Sequence, residues 1–311
     1  MPRFSVILPL YNKAPYVAKA IGSVLGQTCS DFELIVVDDG STDNSLQVAT
    51  DVLQGASVNY QIVHQENAGV STARNNGVAC SRGEYLCFLD ADDWWETTFL
   101  ERMNSLIQDY PEASLYATNY YYVKNGEARI GVTKAETGYL DYCRVYVENV
   151  GMPVWTGAVS MPRPVFDEMG GFKPLLKLGE DFDLWIRIAL KYRIAFLNEL
   201  LSHYNQDADP AWRETKRLTP PQNHVLWNLD YLSEEERNNP EYKQLIDNLR
   251  AYGLFTYYLS DEYREVARRE LDKVDWSRQA SAIRSLYHWP LPLLKIREKI
   301  LKIGVKIKYS F

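Results

Sequence analysis

The chain begins with short apolar runs alternating with amphipathic stretches. Residues 4–8 (FSVIL), 32–37 (FELIVV) and 85–89 (YLCFL) are nearly continuous in apolar side chains. That pattern suits parallel strands covered on both faces. Val58, Tyr60 and Ile62 alternate as a further strand. Between these runs apolar residues recur at helical spacing: Val17, Ala20, Ile21, Val24 and Leu25, then Leu46, Ala49, Val52 and Leu53, then Val70, Ala73 and Val78. Phe99, Leu100, Met103, Leu106 and Ile107 mark a fourth helix. Such alternation predicts an α/β fold with a mostly parallel central sheet and helices on both sides, where ligands bind beyond the carboxyl ends of the strands.

After residue 110 the pattern is mixed. Residues 115–123 read as a strand, Asn125-Gly126 as a hairpin turn, 155–160 as a strand, and 164–169 as a helix closed by Gly170-Gly171. Residues 181–192 form a helix with Phe182, Trp185, Ile186 and Ala189 on one side, whereas 127–150 give no clear period. Past Pro220-Pro221 the chain turns helical and rich in charge. We therefore divide it into a catalytic region over 1–215, with halves at 1–110 and 111–215, and a helical extension over 216–311.

Composition narrows the function. With 311 residues, 46% of them apolar, the chain can bury a large core, and its net charge of −7 argues against a nucleic-acid binder. Cys29, Cys80, Cys87 and Cys143 have no paired spacing and read as small apolar residues in a reducing compartment. No apolar run has transmembrane length, so a cytoplasmic location is expected. The tail over 291–311 differs from the rest, carrying Lys295, Arg297, Lys299, Lys302, Lys306 and Lys308 against Glu298, with Leu293, Ile296, Ile300, Ile303 and Ile307 on another face. It predicts a basic amphipathic helix able to make peripheral contact with the inner face of an anionic membrane.

The chemistry-bearing residues stand at the predicted strand ends. Asp90, Asp92 and Asp93 follow one buried strand, and three carboxylates so close call for a compensating charge. Oxygen donors of this kind suit Mn²⁺ or Mg²⁺. Asp38 and Asp39 follow a neighbouring strand, where a carboxylate can accept from a ribose hydroxyl or a base N–H. The first strand leads into Pro9-Leu10-Tyr11-Asn12 rather than a glycine-rich dinucleotide loop. A polar loop at 67–75 enters a helix carrying Ser71 and Arg74, which could face a diphosphate. Glu180 and Asp181 open another helix, as a helix dipole favours, and either could act as general base.

Taken in order, SVILPLYN at 5–12, SVLGQT at 23–28, DFELIVVDDGSTDNS at 31–45, ENAGVSTARNNG at 66–77, GEYLCFLDADDWW at 83–95 and GEDFDLW at 179–185 resemble the family-2 glycosyltransferases of GT-A fold, over about residues 3–205. The resemblance implies a nucleotide-sugar donor, UDP by family default, and an inverting displacement. Pro9, Tyr11, Asp38 and Asp39 would line the nucleoside pocket, with Asp39 on the base. Ser71 and Arg74 would lie by the donor phosphates and Asp90 by the sugar or ribose. Asp92 would ligate the metal, with His203 where many relatives carry a histidine near the metal or diphosphate. Asp181 matches the catalytic base, with Glu180 beside it. The acceptor would be a saccharide or a lipid-linked sugar of a bacterial surface polysaccharide. A sugar nucleotidyltransferase and a non-catalytic nucleotide-sugar binder are the competing readings.

Overall fold

The computed structural model describes residues 1–149, 152–208 and 218–297. Its first two-thirds run β1 (Phe4–Leu10), α1 (Val17–Leu25), β2 (Phe32–Asp38), α2 (Ser45–Leu53), β3 (Asn59–His64), α3 (Val70–Cys80) and β4 (Tyr85–Phe88). They continue through β5 (Trp94–Trp95), α4 (Phe99–Asp109), β6 (Ala113–Lys124), β7 (Glu127–Ile130), β8 (Gly138–Leu140) and α5 (Tyr142–Glu148). The remaining elements are β9 (Val159–Pro162), α6 (Arg163–Met169), α7 (Glu180–Ala189) and β10 (Arg193–Asn205).

One ten-stranded sheet carries them in the order β3-β2-β1-β4-β9-β6-β10-β5, with β7 on β6 and β8 on β10. The strands β3, β2, β1 and β4 are parallel, and β9 is antiparallel to both β4 and β6. Every residue of β1 and β2 is buried, which explains their unbroken apolar sequence. Alternate residues serve opposite layers. Phe4, Val6, Leu8 and Leu10 pack with α1 and α4 residues such as Val17, Ile21, Phe99 and Met103. On the other face Ile7 and Val37 meet α3, and Phe88 packs against Phe166 and Phe172.

The approach of α3 is close enough to require a glycine. A Cβ on Gly77 would lie 2.4 Å from Ile7 Cγ2 and 3.1 Å from Val37 Cγ2. Both contacts are with side chains held in the sheet, so Gly77→Ala should cost about 1–3 kcal/mol. Urea denaturation measures this; an unchanged midpoint would show that the layers can part.

Two elements differ from the sequence expectation. Residues 155–160 are not one strand: Thr156–Ala158 form a 3₁₀ turn before β9. The Gly157 carbonyl there accepts from Trp95 Nε1 at 2.6 Å and Ser202 Oγ at 2.7 Å, which holds the turn in place. The unassigned stretch contains β7, β8 and α5. The Asn125-Gly126 turn joins β6 to β7 with φ of 52° and 74°, the two left-handed positions of a tight hairpin.

The described residues divide into two compact units, those up to 219 with 223–225, and 220–222 with 226–297. In the second, Asn239 caps the helix Pro240–Gly253 through its side chain. Buried Arg250 gathers the Glu236 and Glu270 carboxylates at 2.5 and 3.4 Å. Among the described residues no helix is long and apolar enough to cross a membrane.

Candidate active site

The carboxyl ends of β1, β2 and β4 converge on polar loops. After β1, Asn12 adopts φ 51°, and its Oδ1 accepts from the backbone N–H groups of Thr42 and Asp43 at 2.8 and 3.3 Å. The loop after β2 is thereby tied to the one after β1. The N–H of Lys13 donates to Ser45 Oγ at 2.7 Å, which fixes the next residue too. Pro9 is buried in β1, and Tyr11 is half-buried on the turn. Pro9 faces the β4 side, as Ile7 does, but past the end of that strand, so its missing N–H leaves no ladder bond unmade.

Asp38 and Asp39 are both buried and both engaged within the chain. Asp38 meets His64 Nδ1 at 2.7 Å and accepts from the Ser41 N–H. Asp39 accepts from Gln65 Nε2 at 2.7 Å and from the N–H groups of Ala68 and Gly69 at 2.8 and 2.9 Å. These bonds anchor the loop that leads into α3 and leave an acceptor position on Oδ2, since a carboxylate offers about four.

On α3, Arg74 is only 3% exposed. Its Nη2 donates to Asp90 Oδ1 at 2.7 Å and its Nη1 to Glu180 Oε1 at 3.0 Å. Burial alone would lower its pKa, but the Asp90 and Glu180 carboxylates override that and hold it above the ordinary arginine value. The Ser71 hydroxyl and Arg74 Nε are buried without a hydrogen-bond partner. Arg74 thus connects Asp90, at the end of β4, to Glu180, at the start of α7.

Gly179 (φ 79°) turns the backbone into α7, and a Cβ there would meet Val225 Cγ1 at 2.4 Å. Asp183, one turn in, is fully buried against Lys173 and Arg187 at 2.8 Å each, which fixes the start of the helix. Asp181 Oδ1 accepts from the Phe182 N–H at 2.7 Å and Oδ2 from Thr156 Oγ1 at 3.2 Å. Burial raises the Asp181 carboxyl above its ordinary range against the pull of Arg74. Burial, with the neighbouring Asp181 charge, pushes Glu180 up to about 7. The hydroxyls of Tyr142 and Tyr146 are raised first by burial and then by neighbours including Asp181. Tyr146 packs edge-on to Phe182, and Trp155 stacks on Tyr204 with ring centroids 4.0 Å apart.

The acidic triplet separates by role. Asp92 Oδ2 accepts from Lys13 Nζ at 2.5 Å. Burial raises its pKa, with Asp90 adding to the effect and Lys13 opposing it. Asp93 is fully enclosed; its Oδ1 accepts from the Asn205 N–H at 2.8 Å, tying the loop after β4 to the end of β10. Burial first, then Asp92 and Asp90, raise Asp93 well above the carboxylate range, against the pull of the Asn205 N–H and the Trp155 side chain.

His203 does not join these acids. Its Nε2 meets Glu96 Oε1 at 2.7 Å, and its ring is stacked between Trp94 and Tyr121. Among the described residues no group of three or more His, Cys, Asp or Glu side chains could hold a metal ion. For His203 to serve as the expected ligand through Nε2, its pair with Glu96 would have to open. Sequence reasoning missed Lys13, Thr156, Tyr142 and Tyr146; the spacing of the motifs carries no signal for any of them.

A sequence model described as glycosyl transferase family 2 matches residues 5–169. The Nostoc protein named uncharacterized glycosyltransferase alr2836 is 45% identical over 34% of this chain and 33% of its own length. Bacillus subtilis EpsJ, also named an uncharacterized glycosyltransferase, is 39% identical over 33% of this chain and 30% of its own. The match thus spans about a third of the length of these relatives. The Pasteurella multocida chondroitin synthase is 25% identical over 85% of the chain and 27% of the synthase. Among solved structures, S. aureus TarS in complex with UDP-GlcNAc superposes with a TM-score of 0.74 at 18% identity, over 98% of this chain and 92% of that one. The fold is GT-A, and the chain belongs to glycosyl transferase family 2.

Proposed function

We propose that the chain transfers a sugar from a nucleoside-diphosphate sugar, with UDP as the nucleotide, to a hydroxyl of a saccharide or lipid-linked acceptor in polysaccharide synthesis. The observation that carries this reading is the bridge through Arg74, which sets Asp90 on one side of a single guanidinium and Glu180 on the other, with Asp181 close enough to act on the same group. A nucleotide pocket alone accounts for Asp38, Asp39 and Asp90 but not for the two acids that open α7 beside Arg74. Relatives support the substrate class: TarS is solved with UDP-GlcNAc, and one relative is a chondroitin synthase.

In this mechanism Asp181 takes the proton from the acceptor hydroxyl as that oxygen attacks the anomeric carbon. One displacement inverts the centre, so no nucleophilic carboxylate is required. Thr156 and the Phe182 N–H fix the carboxylate's orientation. Buried Tyr142 and Trp155 help to keep water from competing with the acceptor.

The residues also fit a divalent cation. Asp92 offers a hard oxygen donor, and one cation, the Lys13 ammonium, already sits on it. Mg²⁺ and Mn²⁺ are commonly held by one or two carboxylates together with substrate phosphates. Asp92 would hold the ion, which when bound supplies Lewis-acid stabilisation of the departing diphosphate. The mannosyltransferase PcManGT of Pyrobaculum calidifontis, similar in fold at a TM-score of 0.52, is solved with GDP-Man and Mn²⁺.

A base with a raised pKa sets the pH dependence. It must be ionised to act, so kcat should fall as pH drops, along a limb above the ordinary carboxylate range of about 4. With Glu180 at about 7, that limb belongs to the Glu180–Asp181 pair rather than to either residue. A rate that stays flat down to pH 5 would contradict it.

We place the protein in the cytoplasm, with the 291–311 segment as a peripheral membrane contact. In support, Leu293 and Ile296 are exposed; residues 298–311 lie outside those described. A thermal-shift screen of nucleotide sugars with Mn²⁺ tests the donor reading. A metal-dependent rise with a UDP-sugar is expected; no shift with any nucleotide would overturn it.

A further inference from the structure

Lys13 has no part in the chemistry above, yet it contacts Asp92 directly. Its Nζ lies 2.5 Å from Asp92 Oδ2, and both side chains are more than four-fifths buried. The ammonium is not there by chance of a long side chain. The Lys13 N–H is bound by Ser45 Oγ, and Ser45 Oγ donates in turn to Asp43 Oδ1. Asp43 also accepts from the next N–H, that of Ala14. The backbone from which Lys13 projects is therefore fixed before any ligand arrives.

Asp90, Asp92 and Asp93 repel one another, so each charge that stays on the cluster calls for a counter-charge. Arg74 is committed to Asp90 and Glu180, which leaves Lys13 as the counter-charge on Asp92. A divalent cation needs that same carboxylate, and it cannot share an oxygen with a contacting ammonium without severe like-charge repulsion. The arriving diphosphate changes the balance. It brings negative oxygens to which a flexible lysine can swing, since an ammonium on a four-carbon stem binds phosphate as a point charge.

We propose that Lys13 is a built-in counter-ion that competes with a divalent cation for Asp92, and that it yields this carboxylate when a nucleoside diphosphate arrives to receive it. The inference rests on the donor-site reading above. It makes Lys13 a positioning residue that couples metal entry to donor entry, so the empty protein does not hold a bare cation tightly.

The test is calorimetric titration of Mn²⁺ into the wild type, Lys13→Met, Lys13→Arg and the Lys13→Met/Asp92→Asn double variant, first alone and then with saturating UDP. Without nucleotide, Lys13→Met should bind Mn²⁺ about ten-fold more tightly than the wild type, the effect of removing one contacting positive charge. Lys13→Arg should stay near the wild type, and the double variant should lose the gain. With UDP present, the advantage of Lys13→Met should collapse. If Lys13→Met folds poorly, Lys13→Gln removes the charge while keeping a hydrogen-bond donor for Asp92. Equal or weaker Mn²⁺ binding by both neutral variants in the absence of nucleotide would overturn the proposal, as would a gain of the same size with UDP. If no variant binds UDP while the nucleotide-free gain persists, the donor reading fails and the competition at Asp92 stands.

Discussion

Asp181→Asn is expected to lower kcat by about 10²- to 10⁴-fold, the usual contribution of a positioned general base, while leaving donor affinity unchanged. Asparagine is nearly the same size. Its carbonyl oxygen can keep the bond from the Phe182 N–H, and Thr156 can turn its hydroxyl to accept from the new amide. What disappears is the basic lone pair. Titration of the donor should therefore look the same for both proteins, while turnover separates them. A variant that turns over at close to the wild-type rate would remove Asp181 from the chemistry and point to Glu180.

Arg74→Met should be the most destabilising single change in the site, by about 3 kcal/mol in denaturant unfolding. Removing one partner of a buried pair leaves an uncompensated charge, at a typical cost of about 3–5 kcal/mol. Here the lower end applies, because the Asp90 side chain keeps 24% exposure and can draw on water. The deficit should also depend on pH in a definite direction. Glu180 is already raised to about 7 with Arg74 opposing, and loss of the guanidinium raises it further. A carboxyl raised in the folded state costs nothing below its unfolded value of about 4.3, and its cost grows as pH climbs towards the folded value. The gap from wild type should therefore be wider at pH 8 than at pH 5; an equal gap would mean that Glu180 is not the affected group. Arg74→Lys should not restore the wild type, because one ammonium cannot fork to both carboxylates.

The nucleotide-binding half was legible because its signals are local. Strands β1, β2 and β4 are buried on both faces, so their sequences are unbroken apolar runs, and each acidic pair stands next to the run that positions it. The second half is built from distant partners. Strand β8 is three residues long and pairs with Ile194–Phe196, over fifty positions away, so no period within residues 127–150 could reveal it. Strand β7 is exposed throughout and shows no apolar face. Trp155–Ser160 looks like a strand by composition, but the turn at Gly157 follows from two donors, Trp95 and Ser202, that sequence cannot bring together. The same holds within the site. Asp181 stands out through its motif, whereas the Arg74–Glu180 contact and the capture of His203 by Glu96 are tertiary facts. Asp93 is the one of the three acids to which the sequence assigns no role, and its bond to the Asn205 N–H ties the loop after β4 to β10.

A single displacement driven from Asp181 on a nucleoside-diphosphate sugar fixes both the leaving group and the configuration of the product. Proton and phosphorus NMR of one turnover mixture, containing the donor selected by thermal shift, Mn²⁺ and a saccharide acceptor, tests it most directly. Release of nucleoside diphosphate is expected, together with a new glycosidic bond of inverted anomeric configuration. Retention of configuration, or the appearance of pyrophosphate in place of nucleoside diphosphate, would contradict it.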